Sequence, residues 1–162
     1  VTLEVVKGDL WDYYDRGAWI VIPVNIGWNK NGSNNMGAGV ALQAALRWPG
    51  LPLWWGRKCR FYGEATRVTE RTGLNRRLIL FPVKPLRPLV PELSWDQYAS
   101  LTLIERSAEQ LSRQCSEKGQ VVLPFVGCGN GGLDPLAVKP ILKRYLSSPT
   151  FLVVDRQYQR SE

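Results

Sequence analysis

Histidine is absent from all 162 residues. That removes the side chain that most often serves as a general base near neutral pH, the usual partner of Ser and Cys nucleophiles, and the commonest metal ligand. Cysteine is scarce. Cys59, Cys115 and Cys128 are odd in number and form no C-x-x-C pair, which argues against both a disulfide framework and a zinc knuckle. No metal and no cofactor is expected, and the thiols are read as spectators. Long apolar runs are missing as well. Nothing approaches the roughly 18–20 residues that a membrane span needs, and no basic-then-apolar leader stands before the first strand. A cytoplasmic protein without a membrane partner is therefore expected, and neither repeats nor low-complexity segments suggest a modular array.

What is present fits a globular chain: 44% hydrophobic and 22% charged residues. The length suits a single domain over 1–162 with one core and one site, expected to be a monomer. The formal charge of +7, with arginine twice as frequent as lysine, favours anionic partners, either nucleotides or nucleic acid.

Strands are expected at 2–6, at Ala18 to Val24, at Arg77 to Val83, at Gln120 to Phe125 and at Thr150 to Val154, from their β-branched and apolar composition and their Gly, Pro and Asn boundaries. Helices are expected from Ala38 to Arg47, from a cap at Ser94 through the Leu101, Ile104, Ala108, Leu111 and Cys115 repeat to an end at Gly119, and from Pro135 onward, the last kinked at Pro140. Ser94 and Gln97 have the capping-box spacing that starts the second helix, while Asp134 before Pro135 is an N-cap signal for the third. Only a short connector is expected between the first two strands. Strands alternating with helices imply an α/β fold of three layers, a mixed and largely parallel sheet covered on both faces, with ligands bound beyond the C-terminal strand ends.

Two glycine-rich segments leave strands at such ends. Gly127-Cys128-Gly129-Asn130-Gly131-Gly132 formally satisfies G-x-G-x-x-G, and Asp155 follows about 20 residues on, as a dinucleotide fingerprint asks. Yet the motif leaves space for only one more helix and strand, whereas a Rossmann fold begins with it. A nicotinamide oxidoreductase is thus a remote alternative. The physical content survives: glycine lets backbone amides approach a diphosphate, and a helix N-terminus adds partial positive charge. Met36-Gly37-Ala38-Gly39 repeats the device, preceded by Asn34 and Asn35, whose amides can bond ribose hydroxyls or hold their own loop. Asp9, after the first strand, can accept from an adenine amino group or cap the next turn.

Together, Gly8-Asp9-Leu10, Val24-Asn25, the run Met36 to Gln43, Phe81-Pro82-Val83-Lys84 and Gly127 to Leu133 resemble the macrodomain family over essentially the whole chain. The likeness is to its branch of DarG-type DNA ADP-ribosylglycohydrolases, terminal ADP-ribose glycohydrolases and ADP-ribose 1''-phosphate phosphatases. The resemblance implies an ADP-ribose ligand held by Asp9, Leu10 and Asn25, by Asn34, Asn35, Met36, Gly37, Ala38, Gly39 and Val40, and by Val126, Gly127, Cys128, Gly129, Asn130, Gly131, Gly132 and Leu133. It implies hydrolysis of an ADP-ribose derivative, with a non-catalytic reader as the alternative. The lysine such enzymes carry in the first loop or the following helix is replaced here by Ala38 or Ala45, and the aspartate of the second loop by Gly131. Asn35, holding a water, and Asp134 are the remaining catalytic candidates. Trp48, Trp54 and Trp55 beside Arg57, Lys58 and Arg60 make nucleic acid a candidate partner, against ordinary packing.

Overall fold

A computed structural model describes residues 3–72 and 76–156. Its spine is a pair of apolar strands, β2 (Trp19–Asn25) and β4 (Leu78–Lys84). Every residue of β4 is buried, the pattern of a strand covered on both faces. With β1 (Glu4–Lys7), β3 (Thr69–Arg71), β5 (Val121–Leu123) and β6 (Phe151–Asp155) they form one six-stranded sheet in the order β1-β6-β5-β2-β4-β3. All pairings are parallel except β3 on β4 at one edge.

Alternation along the strands divides the core in two. Val21, Ile79 and Phe81 face α4 (Leu101–Cys115) and α5 (Pro135–Tyr145), whereas Ile20, Ile22, Leu78 and Leu80 face α1 (Leu10–Asp15), α2 (Gly39–Arg47) and α3 (Leu51–Tyr62). The three-layer α/β expectation is borne out. Residue 2, placed in a strand from sequence, lies outside the described residues.

Several local expectations need correction. The connector after β1 contains helix α1, with Leu10, Trp11 and Tyr14 buried. The stretch after Pro49-Gly50 is the twelve-residue helix α3, and β3 is a further strand. Helix α3 is hard to read because Pro52 and Gly56 interrupt its sequence. Its Gly56 answers a packing demand, since a Cβ there would sit 2.1 Å from the Gly32 carbonyl oxygen and 2.6 Å from the Asn34 nitrogen. The helix thus lies directly against the loop that follows β2. Helix α4 is capped by Ser100, whose hydroxyl accepts from the Leu103 amide at 3.2 Å, and not by Ser94. Gln97 is engaged elsewhere, donating to the carbonyls of Pro85 and Ser94 at 2.6 and 2.8 Å. Helix α5 runs on through Pro140 to Tyr145.

Candidate functional site

The C-terminal ends of β2, β4 and β5 open into one cleft of about 550 Å³, inside the size range of small-molecule sites. Crevices beyond the strand ends are where parallel α/β sheets hold ligands. The sequence of the long β2–α2 loop anchors it at both ends. Ile26 and Met36 are buried in the core beneath α1 to α3, so the polar stretch between them is suspended from two apolar pegs. Asn25 and Asn34 then lock the interior: the Asn34 amide donates to the Asn25 and Gly27 carbonyls and to the Asn25 side chain, and the Trp55 indole N–H donates to the Asn25 carbonyl at 3.0 Å.

The wall beyond this lock consists of Asn35, Gly37, Ala38, Gly39, Val40 and Ala41, all lining the cleft. Helices α1, α4 and α5 are capped by the side chains of Asp9, Ser100 and Asp134. Ala38 at the N-cap of α2 has no such group, and no side chain caps that helix. Its first amides therefore point their unsatisfied hydrogens and partial positive charge at the cleft. Opposite, the loop after β5 contributes Gly127, Gly129, Asn130 and Gly131. The loop closes on itself through the Gly132 amide on the Gly129 carbonyl and the Leu133 amide on the Gly127 carbonyl, while the amides of Gly129, Asn130 and Gly131 have no acceptor among the described residues. Two sets of free donors face one space, which is the chemistry of a diphosphate cradle.

Between the two loops lies Lys84, the last residue of β4. The β2–β4 register pairs Val24 with Pro82 but Asn25 with Lys84, a bulge of the kind that re-aims a strand end beside a site. Lys84 is 6% exposed, and its ammonium donates to the Trp95 carbonyl at 2.6 Å. Burial holds it below the ordinary lysine value, an effect that the charge of Asp96 partly offsets. Among the described residues that line the cleft, Lys84 is the sole ionisable one. From sequence it figured only in the Phe81-Pro82-Val83-Lys84 motif of the family resemblance, without a role; the signal was there, a lone charge closing the run Leu78-Ile79-Leu80-Phe81-Pro82-Val83. Trp95, which also lines the cleft, carried no comparable signal in its proline-rich segment.

Nine of the residues singled out from sequence lie outside the lining of this cleft. Asp9 caps α1, its Oδ1 accepting from the Trp11 amide at 2.9 Å, while its Oδ2 meets the Arg156 guanidinium at 2.7 Å. That backbone bond, with the Arg156 contact, keeps the carboxyl below its usual range. Leu10, Met36 and Val126 are core residues, and Leu133 packs against the core. Asn34 is turned inward, as described. Cys128 packs beside them, and burial pushes its thiol up to about 11, so it stays protonated. Gly132 lies under the Tyr98 ring, and Asp134 spends one oxygen on the Leu136 amide at 2.9 Å. The second loop also has no space for the aspartate that the resemblance implies at Gly131: a Cβ there would be 2.5 Å from the Gly127 carbonyl oxygen. The tryptophans are packing residues. Trp55 is fully buried, Trp48 leans on Trp11 and Tyr14, and Trp54 already carries Lys58 and Arg71 over its ring.

The order and direction of the six strands, with the two glycine loops at their C-terminal ends, define a class: the chain has the macrodomain fold. Within it, the chain is similar to the macrodomain of Mycobacterium tuberculosis DarG, with 25% identity and a TM-score of 0.67 over 94% of this chain and 96% of that one. The macrodomain of Thermus aquaticus DarG is 23% identical, with a TM-score of 0.69 and 98% of each chain covered. Thermosipho africanus DarTG, solved in complex with ADP-ribose, is 20% identical with a TM-score of 0.72; 99% of this chain matches 43% of that longer one. No protein-family model and no curated protein matches the chain.

Proposed function

We propose that the cleft binds ADP-ribose, its diphosphate against the free amides of the two loops and its distal ribose toward Lys84, and that the domain hydrolyses an ADP-ribosyl linkage. The observation that carries this reading is the convergence of the uncapped N-terminus of α2 and the open amides of Gly129 to Gly131 on one space whose sole ionisable lining group among the described residues is Lys84. The ADP-ribose complex of Thermosipho africanus DarTG supports the choice of ligand. Asn35, at the rim, is retained as a ligand contact. Asp134 is assigned to capping.

Desolvation raises the neutral fraction of a buried amine, and a neutral lysine is a nucleophile toward carbonyl-like carbon. In the proposed reaction the Lys84 amine attacks the anomeric carbon of the distal ribose. The C–N bond forms as the bond to the acceptor breaks, the acceptor departs with the electron pair and takes up a proton, and water then cleaves the lysine adduct to give ADP-ribose. Lys84→Arg keeps the positive charge but never becomes neutral. It is expected to bind ADP-ribose by calorimetry while losing at least about a hundredfold in turnover on ADP-ribosylated DNA, glutamate-linked protein or ADP-ribose 1''-phosphate, whichever the wild type accepts. The wild-type rate should rise with pH through the Lys84 titration. Turnover by Lys84→Arg at the wild-type rate would remove Lys84 from the chemistry, and wild-type binding without turnover on all three substrates would leave a reader of ADP-ribose.

A further inference from the structure

The acceptor of the Lys84 bond is a main-chain carbonyl in a segment with little regular structure of its own. Between β4 and α4 the chain runs from Pro85 to Ala99 with only one short 3-10 turn, Pro91–Leu93. Three features tie this segment down. The Ala99 amide donates to the Gly131 carbonyl at 2.9 Å, joining it to the second glycine loop. Gly27 lies so close that a Cβ there would meet the Pro91 carbonyl oxygen at 2.2 Å and Ser94 at 2.6 Å, joining it to the first loop. Ser94, fully buried, accepts the Arg87 amide on its hydroxyl at 3.0 Å.

A fourth tie is Gln97. One nitrogen, Nε2, donates to the Pro85 carbonyl at 2.6 Å and to the Ser94 carbonyl at 2.8 Å. Pro85 follows Lys84 directly, and Ser94 precedes Trp95 directly. The two hydrogens of a single carboxamide thus hold the chain next to the donor and the chain next to the acceptor of the Lys84–Trp95 bond. We infer that Gln97 is a positioning residue for Lys84: its carboxamide fastens the Trp95 carbonyl against the end of β4 and so fixes where the amine sits in the cleft. The inference rests on the reading of Lys84 as the reacting amine. Gln97 itself is absent from the lining of the cleft.

Releasing the clamp frees the Trp95 carbonyl and admits water, whose solvation of the ammonium relieves the burial that lowers its pKa and outweighs the one carbonyl acceptor lost. Asp96, the charged group acting on Lys84, is unchanged in the variants that test this. Gln97→Met keeps the volume of the side chain without its donors, and Gln97→Ala removes both. The titration of Lys84 is followed through its 13Cε resonance, assigned by its loss in Lys84→Met, in ligand-free protein. Both Gln97 variants are expected to move the midpoint upward, toward the ordinary lysine value. Turnover at neutral pH should fall about tenfold with KM and ADP-ribose affinity within about threefold of wild type. A role in packing alone predicts that Gln97→Met behaves as wild type, and an unmoved Lys84 midpoint in Gln97→Met overturns the inference, even if Gln97→Ala fails to fold. A wild type that does not bind ADP-ribose would refute the proposed function by a separate measurement, leaving the resonance comparison to decide the clamp.

Discussion

Asn34 concentrates three bonds on one nitrogen: its amide donates to the Asn25 carbonyl at 3.0 Å, to the Asn25 side chain at 2.8 Å and to the Gly27 carbonyl at 2.8 Å, all in a buried setting. Removing it takes its donor from the Gly27 carbonyl, whereas the Asn25 carbonyl keeps the Trp55 indole and the Asn25 side chain keeps the Gly27 amide; the desolvation penalty of one such orphan exceeds the modest net value of a bond itself. Asn34→Ala is therefore expected to lower stability by about 1–3 kcal/mol, read as a lower urea midpoint with an unchanged slope. It should also weaken ADP-ribose binding, because Asn35 and the α2 N-terminus hang from the same lock. At Lys84 the sign is the reverse. Its buried charge is a cost to the fold, kept where the chemistry proposed for the cleft needs an amine.

Helix α2 shows the same exchange at the scale of an element. With Ala38 at its N-cap, the helix forgoes a stabilising contact that Asp9, Ser100 and Asp134 supply to α1, α4 and α5. Ala38→Asp should cap the helix, raising stability by about 1 kcal/mol. The same carboxylate would occupy the free amides and repel a diphosphate. Calorimetry with ADP-ribose should then show at least about a tenfold loss of affinity, the order expected from placing a like charge against a phosphate. A variant both more stable and an equal binder would show that the α2 amides do not meet the ligand.

The elements also explain what could be read from sequence. The parallel strands, α2, α4 and α5 announced themselves through periodicity and terminal signals, and both glycine loops were legible because few folds need so many glycines where a strand meets a helix. Helix α3 was hidden by Gly56, whose presence answers to the loop it touches and not to its own helix. The Ser94–Gln97 spacing imitated a capping box because both residues do bond main chain, but the chain they bond belongs to the segment before the helix. Lys84 entered the site through a β4 bulge and the Trp95 carbonyl, both set by tertiary pairing that no local pattern encodes.

Over the whole molecule, the formal charge of +7 reaches the lining of the cleft, among the described residues, only at Lys84, and the proposed binding rests on it and the free amides. Dipoles at contact distance are screened far less by salt than are exposed charges. Affinity for free ADP-ribose should consequently change by less than about threefold between 50 and 500 mM KCl. A steep salt dependence would instead assign the binding energy to the basic exterior. The placement of Lys84 at the end of a fully buried strand next to the middle of the sheet has a further consequence, for motion. Hydrogen-bonded amides of such a strand exchange with solvent only when the whole domain unfolds, whereas loop amides exchange through small local openings. On the proposed reading, the reacting amine is therefore mounted on a strand that opens only with the whole domain and the phosphate donors of the second loop on a segment that opens locally, so a ligand would enter or leave by loop fluctuation without the attacking atom losing its place.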